Sequence, residues 1–281
     1  MGAPEKEGAP AFPKSGGYPV IVFAHGYDVT PDTYAPLLDA WTRAGFVVIA
    51  PFFPGEKAST IIAEHGANTE ADLVNEPGDL TFVTRDVLQN SEVSSPGCPV
   101  LHDLVNPTQI ALAGQSDGAD AVAMLFFSHG TDPQGVRFAQ LHEGIDFRAL
   151  IVMAGAEVAP QQYSIITSRP SLLMIQSLAD QCNPVRSAET LYRAVHQSNK
   201  WFLELRTAHH LPPFDGVDEA AFKVISTTST AFLQMSLHIE LAPINLAAVG
   251  DQRLGVARIS GSGNGPPLGD ARALPEFCAK T

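Results

Sequence analysis

Three short polar groupings in this chain carry side chains that could perform acyl-transfer chemistry together. The first is Gly114-Gln115-Ser116-Asp117-Gly118, a G-x-S-x-G with a hydroxyl at its centre. A serine hydroxyl becomes a nucleophile once a base takes its proton, and the base needs an acid to orient it. The second grouping, Ser177-Leu178-Ala179-Asp180, offers a carboxylate, and the third, Ala208-His209-His210-Leu211-Pro212-Pro213, offers imidazoles. Serine, acid and histidine therefore follow one another along the chain.

The setting of Ser116 strengthens that reading. An apolar run, Ile110 to Ala113, stops at Gly114, and a second run rich in Ala and Met begins directly after Gly118. The first reads as a buried strand and the second as a helix, with no loop between them. So tight a turn crowds the backbone and calls for glycine on either side of the serine, as in a nucleophile elbow.

Alternatives remain at the other two positions. Asp180 lies in Ala-Asp-Gln-Cys-Asn-Pro, which is also ordinary turn chemistry, and Glu157 after the preceding strand is the competing acid. Either His209 or His210 can be the base. The oxyanion formed on attack needs fixed N–H donors. The backbone N–H of Asp117, at the start of the helix, is one candidate, and that of Tyr27, in the turn His25-Gly26-Tyr27-Asp28, is the other. His25 reads as a structural hydrogen-bonder. The Asp117 carboxylate suits a helix N-terminus and reads as structural. Phe52, Leu211 and Phe214, with the Tyr27 ring, are candidate walls of an apolar substrate pocket.

The elements that must position these groups are legible as alternating strands and helices. Strands are expected at Pro19–Ala24, Phe46–Ala50, Ile110–Ala113, Ala149–Met153, Leu172–Gln176 and Trp201–Leu205. They are short and continuously apolar, the pattern of a mostly parallel sheet covered by helices on both faces. A helix is expected from Thr30 as N-cap and Pro31, with Tyr34, Leu37, Leu38 and Trp41 on one face. Others are expected from near Pro77, over Pro184–Val195 and over 219–237. Residues 1–17 read as a flexible lead-in, 18–240 as the catalytic domain and 241–281 as a tail wrapping it. Residues 55–78, with His65, read as a surface loop near the site.

Bulk composition excludes several classes. A chain of 281 residues, 45% hydrophobic and 17% charged, suits one large globular domain. Its formal charge of −13 argues against nucleic acid and anionic membrane surfaces. No apolar run is long enough to cross a bilayer. Cys98, Cys182 and Cys278 match no metal-site spacing, and an odd count leaves at least one thiol unpaired within the chain. No metal and no organic cofactor is expected. The N-terminus lacks the basic and apolar regions of a signal peptide, and a mature or trimmed start would still allow a secreted origin.

Five stretches resemble the α/β-hydrolase superfamily, in its bacterial branch of chlorophyllase-like, dienelactone-hydrolase-like and polyester-hydrolase-like serine esterases. They are P-V-I-V-F-A-H-G-Y at 19–27, D-T-Y-A-P-L-L at 32–38, V-N-E-P-G-D-L at 74–80, A-G-Q-S-D-G-A at 113–119 and A-H-H-L-P-P-F at 208–214. The resemblance runs from Tyr18 to Ile259. It implies the α/β-hydrolase fold, Ser116 as nucleophile, Asp180 as orienting acid, His210 over His209 as base, and Tyr27 and Asp117 as oxyanion donors. It also implies a small-molecule, lipid-like or polyester ester as substrate. The same machinery would serve an amidase, peptidase or thioesterase, and a silent binding module is the remaining alternative. Dienelactone hydrolases have cysteine where this chain has Ser116, and polyester hydrolases commonly have Met where it has Asp117. Only about eighteen residues precede the first strand, so the sheet is expected to be short at that edge.

Overall fold

The computed structural model describes residues 14–56, 72–92, 101–155, 170–239 and 256–261, with isolated positions between them. Its apolar runs become β1 (Tyr18–Ala24), β2 (Val47–Ile49), β3 (Val105–Gln115), β4 (Phe147–Met153), β5 (Ser171–Ser177), β6 (Lys200–Leu205) and β7 (Ala257–Gly261). All seven join one sheet in the order β2-β1-β3-β4-β5-β6-β7. Every pair is parallel except the last, in which β7 runs antiparallel to β6. β2, with three residues, ends the sheet beyond β1, and among the described residues no strand stands outside it.

Continuous apolarity along the strands reflects burial on both faces. Successive side chains of a strand point to opposite sides, so a strand covered twice needs apolar residues at every position. In β4, Leu150 and Val152 join one core layer while Ala149, Ile151 and Met153 join the other. Helices α1 (Ala35–Arg43), α2 (Glu76–Ser91), α3 (Asp117–Phe127), α4 (Val185–Ala194) and α5 (Glu219–Ser236) supply the covering surfaces. α1 and α5 place Leu37, Trp41, Ile225 and Phe232 on one face, and the Trp41 indole N–H donates to Ser229 Oγ at 2.9 Å. α2, α3 and α4 bring Leu80, Val122, Leu125 and Leu191 to the other. Each fully buried side chain of this size stabilises the fold by about 1.5–3 kcal/mol. Together the two layers fix the sheet's C-terminal rim, where the polar groupings emerge.

Several features differ from the expectation, and β3 begins at Val105, five residues before the apolar run at Ile110. The helix expected from Thr30 opens as a 3-10 turn, Pro31–Tyr34, and becomes α-helical only at Ala35. One-turn helices at Phe138–Leu141 and Pro212–Asp215 have too few residues to show periodicity. β7 lies inside the stretch read as a wrapping tail. Its five residues pair with β6 along their whole length, too short a run to stand out from the Gly/Pro-rich sequence around it. His65, Glu157, Cys98 and Cys278, most of the 55–78 loop and much of the lead-in and tail lie outside the described residues.

Candidate active site

Ser116 occupies a strained turn between β3 and α3. Its backbone is left-handed, φ 55° and ψ −125°, a conformation a non-glycine residue adopts at a cost of about 1–3 kcal/mol. Its N–H donates to Met153 O at the end of β4, 2.9 Å away, which ties the turn to the sheet. The flanking glycines are sterically required. A Cβ on Gly114 would meet Gly118 O at 2.1 Å, and one on Gly118 would meet Ala24 O at 2.4 Å. Without either atom β1, β3 and α3 close around the serine.

Asp180 and His210 leave the C-terminal ends of β5 and β6 and converge on that turn. His210 Nε2 lies 2.9 Å from Ser116 Oγ, and His210 Nδ1 lies 2.9 and 3.1 Å from the two Asp180 oxygens. With the Nδ1 proton donated to the carboxylate, the Nε2 lone pair faces the serine hydroxyl. The Asp180 carboxylate is almost wholly enclosed while the imidazole keeps 16% of its side-chain surface. Asp180 Oδ1 also accepts from the N–H groups of Cys182 (2.8 Å) and Asn183 (3.0 Å), and Oδ2 from the side-chain amide of Gln176 (2.9 Å). His209 is exposed.

The turn after β1 presses against the nucleophile. A Cβ on Gly26 would come within 2.8 Å of Ser116 Cβ, so glycine there permits the approach. Tyr27 follows Gly26 directly and Asp117 follows the serine, so the two residues expected to supply oxyanion donors each adjoin this contact in sequence. Asp117 Oδ1 is 3.5 Å from Ser116 Oγ. His25, fully buried, has both ring nitrogens engaged: Nδ1 with Gly26 O and Nε2 with the N–H of Phe53, each at 2.9 Å. Since a backbone N–H only donates, Nε2 accepts and Nδ1 carries the proton. Burial pushes this imidazole below its ordinary pKa and holds it neutral.

The candidate pocket residues are distributed unevenly. Phe52 is 43% exposed and stacks on the His25 ring at 5.8 Å. Leu211 is half-buried, and Phe214, at 1% exposure, packs in the layer beneath α1 and α5.

Four polar residues at the site were not singled out by the sequence. Gln176 and Asn183 hold the acid's turn, and Asn183 Nδ2 further donates to Ala154 O at 2.6 Å. Tyr34 and Gln115 lie between the turn after β1 and the histidine. Tyr34 is read from its spacing as part of an apolar helix face, and Gln115 is the unspecified second residue of G-x-S-x-G.

Among the described residues one grouping has metal-ligand types, namely Asp180, Cys182 and His210, with ligand atoms within 4.8 Å of one another. Cys182 is disulfide-bonded, and the carboxylate and imidazole bond to each other. The arrangement fits proton transfer between Ser116 and His210 with Asp180 as the counter-charge, and not a metal centre.

A family model described as Chlorophyllase matches residues 9–153, just over half of the chain. The match spans β1 to β4 and includes His25-Gly26-Tyr27 and the Ser116 turn, ending before Asp180 and His210. No curated protein matches the chain.

Proposed function

This chain belongs to the chlorophyllase family of the α/β-hydrolase superfamily, and from that premise we propose that it is a serine hydrolase of carboxylic esters working through an acyl-enzyme. The observation that carries the reading is the continuous chain from Ser116 Oγ through His210 to Asp180, with both links at 2.9 Å. Ser116 Oγ attacks the ester carbonyl carbon as His210 Nε2 takes its proton. Asp180 stabilises the imidazolium and keeps the ring oriented. The N–H groups of Tyr27 and Asp117 receive the oxyanion. His210 then protonates the departing alcohol, and the acyl-enzyme is hydrolysed by a water that His210 deprotonates. The reaction needs no metal or organic cofactor.

The substrate is an ester with an apolar portion, for which Phe52 and Leu211 offer contact surface beside the turn after β1 and the histidine loop. A p-nitrophenyl ester series from acetyl to dodecanoyl tests the reading, with Ser116→Ala in parallel. Turnover that Ser116→Ala abolishes is expected, and full activity in that variant would overturn the assignment. Turnover confined to matched thioester or anilide substrates would keep the triad and change the bond.

A further inference from the structure

Two buried side chains outside the proposed triad connect the turn after β1, the Ser116 turn and the His210 loop. Tyr34 is fully buried in the 3-10 turn after β1, its ring edge-on to Phe23 with centroids 4.9 Å apart. Its hydroxyl accepts from the Gly26 N–H at 3.1 Å and donates to Gln115 Oε1 at 2.5 Å. Gln115 is the last residue of β3, buried, and adjacent to Ser116 in sequence. Its Nε2 lies 3.4 Å from both the His210 carbonyl oxygen and His210 Nε2.

The direction of this network follows from one unambiguous donor. A backbone N–H cannot accept, so Gly26 commits the Tyr34 oxygen as its acceptor and leaves the hydroxyl proton for Gln115. That proton fixes which end of the Gln115 amide is oxygen, which orients the NH2 toward His210. Donors facing Nε2 favour the form of the imidazole that has a lone pair there, the form that can take the serine's proton. Burial keeps Tyr34 protonated far beyond its ordinary range, reinforced by the carboxylates of Asp117, Asp215 and Glu76.

We propose that Tyr34 and Gln115 are positioning residues that join the oxyanion turn, the nucleophile turn and the His210 loop into one directed hydrogen-bond unit, holding His210 ready to act as base. The proposal rests on the serine-hydrolase reading above, and its test separates the two. The rate of labelling by a fluorophosphonate probe is measured with kcat and KM on p-nitrophenyl butyrate across pH, for the parent, Tyr34→Phe and Gln115→Glu. Labelling of the parent at Ser116 is expected. Tyr34→Phe should lower both the labelling rate and kcat about tenfold or more, with KM within about twofold. Gln115→Glu keeps an acceptor for Tyr34 but sets a carboxylate against the imidazolium, so the acid limb of kcat/KM should move up by about one pH unit. Gln115→Glu decides the matter if Tyr34→Phe does not fold. Parental kcat and an unmoved acid limb, even with a lowered Tm, would mean a purely structural contact and overturn the proposal. No labelling of the parent would overturn the serine-hydrolase reading and the proposal with it.

Discussion

The carboxylate of Asp180 accepts from four donors: two backbone N–H groups of its own turn, the Gln176 amide and His210. An enclosed carboxylate held on every side cannot swing away when the imidazole it faces moves or charges. Gln176 is the side chain among the three supports, which makes it testable. Gln176→Leu should lower kcat about tenfold with KM within about twofold, because one buried bond to a charged group is worth about 1.5–3 kcal/mol. Unchanged kcat on p-nitrophenyl butyrate would count against it. His25 gives a second expectation at this scale. Its folded-state pKa lies below the ordinary 6.5, so the unfolded chain binds the proton first. The stability His25 contributes is therefore complete above about pH 6.5 and falls as the pH drops below it. His142, stacked on Phe126 and also lowered by burial, adds to the same slope. Urea unfolding at pH 7.5, 6.5 and 5.5 should show declining stability, with a smaller decline in His25→Asn.

At the scale of elements, the Ser116 turn and the edges of the helices behave oppositely toward added atoms. Gly118→Ala places a methyl against the Ala24 backbone, so β1 and α3 must separate. It should cost more than about 3 kcal/mol and abolish esterase activity, since neither backbone can yield cheaply. Gly78→Ala, in the first turn of α2 with nothing within 4 Å, should raise stability by about 0.5–1 kcal/mol and leave turnover unchanged. Thermal unfolding of both variants checks the contrast. The same difference explains what the sequence disclosed. The Ser116 turn was legible because steric demand leaves a residue-type signature, glycine on both sides of a serine between two apolar runs. The strands were legible because double burial demands apolarity at every position. Tyr34 and Gln115 were not, since a hydrogen bond across 81 positions leaves no local pattern. β7 was not legible either: an edge strand of five residues is recognised by its partner, not by its own composition.

Across the whole molecule, a charge of −13 is distributed over a fold with no helix long and apolar enough to cross a membrane among the described residues. One covalent link reaches the site. Cys182 is disulfide-bonded, and its backbone N–H donates to Asp180, so the cross-link and the proposed acid share one turn. Cys98 and Cys278 each lie more than eighty positions from it in sequence. Closing a loop of that order stabilises a chain by about 4–5 kcal/mol in the chain-entropy account. Treatment with dithiothreitol should lower Tm by several degrees and reduce kcat, and Cys182→Ser should reproduce both effects. Parental Tm and kcat after verified reduction would show that the link is dispensable.

β4 stands between the strands that carry the serine and the acid, yet none of the proposed catalytic side chains comes from it. It is followed by Ala154-Gly155, where a Cβ on the glycine would meet the Ala119 Cβ at 2.6 Å and Ser116 O at 2.8 Å. The chain therefore leaves β4 directly beside the proposed nucleophile, at a point that carries no proposed catalytic side chain. Bulk added at Gly155 would press on the Ser116 carbonyl and the Ala119 Cβ, and so on the turn that holds the nucleophile. A strand with no reacting group of its own thereby sets how closely that turn can pack.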